Sequence, residues 1–342
     1  MRLPSHILLS RTDSIGDVVL TLPMAGVIKQ YFPKAELSFL GKEYTKPLIE
    51  SCRHIDHFLD IRTFGDSIDA IRAMKIDTVI HVFPRREIAA LTKEAGIPNR
   101  IGTTGRLYHW FSCNHLVPMT RRRSRLHEAQ LNLILLSGLG INKLFSLQEI
   151  PALYGLTRIL PLKDEHRALL DHSKCNLILH PLSSGSAREW GLDNFRTLVT
   201  LLPSEEFKMF ITGTEEEGEI IRNSGILDLL KITDLTGKFT LTELMSFIAA
   251  ADAFVAASTG PLHIAAALGK RTVGIYPPIR PMHPSRWAPL GEKADFLVID
   301  KDCNDCRKGG ACACMRAITP DEVASCLLRN VKQRPMENGH EP

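Results

Sequence analysis

The sequence predicts an α/β protein folded as two doubly wound lobes that face each other across a cleft. Three observations predict it. Short apolar, β-branched runs alternate with amphipathic helical stretches, the signature of helices layered on parallel sheets. The alternation runs twice, restarting after Leu160-Pro161-Leu162, which divides the chain into residues 1–162 and 163–342. A chain of 342 residues also exceeds what one ordinary core organises.

In the first series, His6 to Ser10 reads as a strand and Arg11 to Gly16 as a turn. A helix is then predicted from about Asp17 towards Tyr31, kinked by Pro23. Glu36 to Leu40 and Asp77 to Val82 read as the second and third strands. The stretch from Gly96 to Arg125 is irregular, and Glu128 to Ser137 returns to a helix pattern. In the second series a charged helix is predicted over Lys163 to His172. Strands are predicted at Asn176 to Leu179, Phe207 to Thr212, Ala253 to Ala257 and, last, Thr272 to Tyr276. A short strand and turn fall at Asp234 to Gly237. Helices are predicted over Asp193 to Leu202, Glu215 to Arg222, Leu241 to Ala251 and Pro261 to Leu268, and a terminal helix, about 320–332, is expected to pack back on the first lobe.

Composition excludes several classes. A chain 44% hydrophobic and 23% charged is globular rather than disordered. No stretch approaches the ~20 apolar residues that cross a bilayer. The run Ile7 to Ser10 is shorter than the ~7–15-residue core of a secretory signal, so the expected location is the cytoplasm. A net charge of +4 argues against general nucleic-acid binding. One run, Arg121-Arg122-Arg123-Ser124-Arg125, is either an ordinary solvated loop or a grip on an anionic acceptor or membrane surface. Four cysteines, Cys303, Cys306, Cys312 and Cys314, form C-x2-C-x5-C-x-C, which could close a zinc site. The C-x-C half is a poor knuckle, and redox-sensitive or buried thiols fit the spacing better.

Three strand-end loops carry candidate chemistry. G-x-G-x-x-G and P-loop fingerprints are absent, which disfavours hydride transfer on a dinucleotide fold and P-loop phosphoryl transfer. In Arg11 to Asp17, Gly16 permits a tight bend beside a substrate, and Asp17 falls at a helix N-terminus that favours its charge. An ordinary cap would look the same there, and Asp13 is an equal competitor for it. The loop His180 to Trp190 offers Ser183, Ser184, Gly185 and Arg188, suited to a diphosphate. Ser258-Thr259-Gly260-Pro261-Leu262-His263 offers hydroxyls and amides at another helix start, while His263 alone fits a packing residue equally well.

Taken in order, these segments resemble glycosyltransferase family 9, the bacterial lipopolysaccharide heptosyltransferases. The resemblance rests on Leu9 to Pro23 with Gly16-Asp17, on His180 to Trp190, on Ser258 to Ala267, and on Pro284-Ser285-Arg286-Trp287-Ala288-Pro289-Leu290-Gly291. It implies the GT-B fold, with an acceptor lobe followed by a nucleotide-sugar lobe, and inverting transfer without metal or other cofactor. It implies Asp17 as general base, beside Gly16 on the acceptor side. Donor contacts would come from Ser183, Ser184, Arg188, Ser258, Thr259, Gly260 and His263, with Glu215 or Glu216 on the ribose. The implied donor is a nucleotide sugar, ADP-heptose. The implied acceptor is an anionic glycolipid held by Arg121, Arg122 and Arg123, with Arg125, Arg85, Arg86 and Arg106 as further candidates, and with peripheral contact to the inner face of the inner membrane. The chain departs from the family pattern twice: Ser258 stands where an acid or asparagine is usual, and Arg188 where lysine is usual. Two other readings remain: a nucleotide-sugar epimerase or hydrolase of similar fold, and a non-catalytic nucleotide-sugar-binding protein.

Overall fold

The computed structural model describes residues 3–121, 124–229, 231–301, 303 and 312–329. Twelve strands form two six-stranded sheets, every pairing within them parallel. The first sheet contains β1 (His6–Ser10), β2 (Glu36–Gly41), β3 (His57–Asp60), β4 (Thr78–His81), β5 (Asn99–Thr103) and β6 (His115–Val117), in the order β3-β2-β1-β4-β5-β6. The second contains β7 (Cys175–His180), β8 (Phe207–Ile211), β9 (Ile232–Asp234), β10 (Ala253–Ala257), β11 (Arg271–Tyr276) and β12 (Ala294–Val298), in the order β12-β11-β10-β7-β8-β9. Both are the doubly wound arrangement, with switch points between β1 and β4 and between β7 and β10. Ligands bind beyond the carboxyl ends of strands at such points.

Strand composition explains the layering. In β1, Ile7 and Leu9 enter one apolar core and Leu8 the other; in β10, Phe254 and Ala256 separate in the same way from Ala253, Val255 and Ala257. Both sheets are therefore buried on both faces, as parallel sheets require. The core holding Ile7 and Leu9 also holds Ile178, Phe210 and Phe254, so apolar packing runs across the lobe boundary. Arg158 donates from its backbone N–H to Ser51 O of the first lobe (3.0 Å), and Lys163 Nζ lies 2.5 Å from Glu243 of the second, so the chain passes between lobes within these few residues.

Several expectations are corrected. The first helix begins at Ile15 and breaks into α1 (Ile15–Val19) and α2 (Leu22–Tyr31). Pro23 sits in the first turn of α2, where its missing N–H costs nothing, so it starts a helix rather than kinking one. The charged stretch after Lys163 makes only the turn Asp164–Arg167, which buries no residue and so gains no packing. Strands β3, β5, β6 and β12 were not expected: three are sheet edges, and β5 carries a single large apolar residue, Ile101. Thr272 to Tyr276 is thus not the last strand. The remaining principal helices are α3 (Arg86–Glu94), α4 (Glu128–Ile134), α5 (Leu192–Leu201), α6 (Glu215–Arg222), α7 (Leu241–Ala250), α8 (Gly260–Ala267), α9 (Pro284–Trp287) and α10 (Pro320–Leu328). Helix α10 packs on α5 and β11 of the second lobe, and Arg271 donates to Leu327 O (3.2 Å). Val323 and Leu327 bury their apolar stripe there, so the described part of this helix does not return to the first lobe. No described helix is long and apolar enough to cross a membrane.

Candidate active site

The lobes meet where two helix starts touch. Helix α1 packs against α8, and a Cβ on Gly260 would stand 2.8 Å from Ile15 Cβ, while one on Gly16 would stand 3.0 Å from His263 Cδ2. Glycine is needed at both positions for close approach. Beside this contact opens a cleft of about 910 Å3, lined by the carboxyl ends of β1, β7, β8, β10 and β11.

Asp17 lines the cleft and Asp13 does not. Both carboxylates bind Arg11, a nearly buried residue whose Nε lies 2.7 Å from Asp13 and whose Nη2 meets Asp17; Ser14 Oγ donates to the other oxygen of Asp17 (2.5 Å). Burial, and after it the neighbouring Asp17, pushes Asp13 up to about 6 even though Arg11 opposes the shift. Burial works against the charge of Arg11, but Asp17, Asp13 and Glu128 outweigh it.

Glu128 is the hub behind this pair. It is 1% exposed, at the start of α4, and meets Arg11 (3.1 Å), Arg121 (2.9 Å) and, from the second lobe, Arg286 (2.5 Å). Burial tends to raise its pKa, but the three guanidinium groups hold it below the usual carboxylate range. Next to it, His127 Nδ1 accepts from Ala129 N–H (3.2 Å), so its Nε2 carries the proton and donates to Ala288 O (2.9 Å) across the lobes. Burial drives His127 down to about 4.

On the second lobe, Ser183, Ser184, Arg188, Glu215, Ser258, Thr259, Gly260 and His263 all line the cleft. Two of the expected hydroxyl donors face carboxylates of the protein: Ser183 Oγ lies 3.0 Å from Glu189 Oε1, and Ser184 Oγ donates to Glu217 Oε1 (2.8 Å). Glu216 does not line the cleft and is exposed; the acid buried there is Glu217, fixed by a capping box with Thr214. Thr259 Oγ1 and His263 Nδ1, at the start of α8, are buried with no hydrogen-bond partner among the described residues. That is the position of a helix terminus able to take an anion. Burial, and then His127, lowers His263 to about 3, so its ring is neutral near pH 7. Phe239, Leu241 and Leu244 give the same cleft an apolar part.

A second cleft of about 950 Å3 shares Arg188, Pro281, Met282 and Trp287 with the first, and adds Arg106, Arg121, Arg280 and Arg286. Arg121 lines it, but its guanidinium is bound to Glu128 and Asn132 (2.8 Å). Arg122 and Arg123 lie outside the described residues. Arg85 pairs with Glu87 (3.6 Å), while Arg86 and Arg125 are exposed. Cys306 also lies outside the described residues. Cys312 and Cys314 are buried, and among the described residues no group of three or more His, Cys, Asp or Glu side chains could hold a metal. Burial, then the neighbouring Cys303 and Cys312, pushes the Cys314 thiol up.

Sequence reasoning missed Arg11, Glu128, Glu217 and Arg286. Thr214-x-x-Glu217 was readable as a capping box. The ion-pair hub joins residues 117 positions apart in the chain and left no local signal.

Two doubly wound lobes face each other across a cleft lined by serine and threonine hydroxyls at strand ends and a helix start, the two-lobed GT-B arrangement. The chain belongs to glycosyltransferase family 9 (heptosyltransferase), whose model matches residues 67–313. It is a glycosyltransferase, of GT-B architecture. It is 27% identical over 319 residues to a putative glycosyltransferase of Haemophilus influenzae, covering 89% of this chain and 90% of that one. It is 22% identical over 288 residues to lipopolysaccharide heptosyltransferase 3 of Escherichia coli, covering 76% and 80%. The solved structure of E. coli ADP-heptose lipopolysaccharide heptosyltransferase II superposes with a TM-score of 0.74 at 18% identity, over 96% of this chain and 99% of that one.

Proposed function

We propose that the protein transfers heptose from ADP-heptose to a lipopolysaccharide-core or related envelope glycolipid, with inversion and with Asp17 as general base. The observation that carries this reading is the placement of Asp17 in the cleft, directly opposite the start of α8. The names of the heptosyltransferase relatives support the donor and the acceptor class.

In this mechanism an acceptor hydroxyl attacks the anomeric carbon from the side opposite the nucleotide, and Asp17 takes its proton. A new C–O bond forms as the bond to the diphosphate breaks, and the charge leaves with the diphosphate. Arg188 and the amides around Thr259 and Gly260 meet that charge, which grows in the transition state. Thr259 Oγ1 and His263 Nδ1, buried and unpartnered, stand where donor oxygens would satisfy them. Glu215 and Glu217 face the ribose position, and Phe239, Leu241 and Leu244 the base. Ser258 removes a carboxylate from the sugar site, so selectivity for the sugar rests on weaker hydroxyl contacts.

Two measurements test the reading. ADP should raise the melting temperature more than UDP or GDP, because a ligand that binds only the folded state stabilises it. Asp17→Asn should lower kcat by roughly a hundredfold to ten-thousandfold with ADP binding intact. Undiminished turnover in that variant would remove Asp17 as base, and consumption of donor without acceptor would favour the epimerase or hydrolase reading.

A further inference from the structure

The turn after β5 has its polar side buried and its apolar side in water. Leu107, Trp110 and Phe111 are 77%, 58% and 71% exposed. Backbone bonds from Trp110 N–H to Leu107 O (3.1 Å) and from Phe111 N–H to Tyr108 O (3.2 Å) make this a helical turn. The spacing i, i+3, i+4 then places all three on one face. The opposite face is fixed from below. His109 is fully buried, its Nδ1 accepting from Thr103 N–H (2.9 Å), and Gly102 is needed beneath it because a Cβ would stand 2.6 Å from that nitrogen. Trp110 Nε1–H is satisfied by Thr104 O (3.2 Å), which leaves the indole ring facing outward.

Hydrophobic burial alone would choose the reverse arrangement, since an exposed Leu or Phe forgoes the gain of leaving water. Charge says what covers the face. Residues 97–126 contain six arginines and no aspartate or glutamate, in a chain whose net charge is only +4. Arg106 adjoins Leu107 and lines the second cleft, and Arg125 is exposed between Ser124 and Leu126, which line the same cleft. Large exposed apolar side chains with an aromatic at their centre, beside the exposed Arg106 and in an arginine-rich, acid-free segment, match the headgroup zone of an anionic bilayer.

We propose that the turn carrying Leu107, Trp110 and Phe111 is a membrane-docking face that sets the mouth of the second cleft against an anionic lipid surface. The occupant rests on the reading above that the acceptor is carried by a lipid. The face would bring the arginine-lined cleft to the acceptor's own plane.

The test is flotation of the full chain with vesicles of phosphatidylethanolamine and phosphatidylglycerol, against vesicles of phosphatidylcholine alone. The wild type should float with the anionic vesicles, and less so as salt rises. Leu107→Ser combined with Phe111→Ser should lower partitioning about tenfold or more, while Phe111→Trp retains it. All three proteins should show the same ADP-induced rise in melting temperature, which separates a lost surface from a damaged fold. A wild type that stays in solution, or a serine double variant that floats as well as the wild type, overturns the proposal. So does light scattering showing a wild-type dimer that the double variant splits, because a second copy would then cover the face. Lack of an ADP response with vesicle binding intact would instead overturn the donor assignment and leave the docking face standing.

Discussion

At the residue scale the site is a chain of charges. Asp17 is oriented by Arg11, Arg11 by Glu128, and Glu128 by Arg286 of the other lobe. Glu128 does not line the cleft, which makes it a positioning residue. Glu128→Gln should lower kcat about tenfold to a hundredfold through misplacement of Asp17, with little change in ADP binding. It should also destabilise the fold by roughly 3–5 kcal/mol, because three guanidinium groups lose the carboxylate that compensates their burial. Steady-state kinetics beside a thermal melt check both parts, and an unchanged kcat in a folded variant would remove Glu128 from the argument. Gly16-Asp17 was visible in the sequence, but Asp13 looked equivalent to it. The family resemblance favours Asp17; in the structure Asp17 lines the cleft, while Asp13 does not and is pushed up to about 6.

At the element scale, function is concentrated at strand ends and helix starts. The start of α6 carries three consecutive glutamates that periodicity treats alike. The capping box turns Glu217 inward, where Ser184 reaches it, and leaves Glu216 in solvent. Glu217→Gln should therefore weaken ADP binding severalfold by loosening the Ser184 loop, and Glu216→Gln should leave it unchanged. Calorimetric titration with ADP distinguishes them, and equal effects would show that α6 does not present its first turn as described. Most strands and helices near the cleft were legible because each is a short apolar run bounded by turn residues, as β1, β10 and α6 illustrate. Edge strands β3, β6 and β12 were not legible: they are short, and half-exposed residues blur the alternation that would mark them.

At the scale of the whole molecule, the two lobes are joined by apolar core, by the Glu128 hub and by His127 reaching Ala288. Buried neutral histidines make this arrangement sensitive to acid. Burial lowers His81 and His263 to about 3 and His127 to about 4. The unfolded chain takes up protons on these rings below about 6.5, whereas the native state resists, so stability is full above that value and is lost as pH falls towards 4. Each ring costs up to about 1.4 kcal/mol per pH unit in that window. Asp13 acts with the opposite sign between its ordinary value and about 6, but it is one group against three. The melting temperature should therefore drop clearly between pH 7.5 and pH 5.0 at constant ionic strength, and a flat profile would contradict the burial of these rings.

The sequence alone determined the α/β class, the doubling of the lobes and the loops where chemistry gathers, because hydrophobic period and turn residues are local properties of the chain. The tertiary structure alone decided how Asp13 and Asp17 share Arg11, that Ser184 reaches Glu217, and which arginines are tied to Glu128. The ion-pair hub depends on burial and on partners that only folding brings together, such as Arg11 and Glu128, 117 positions apart, and no local pattern encodes it.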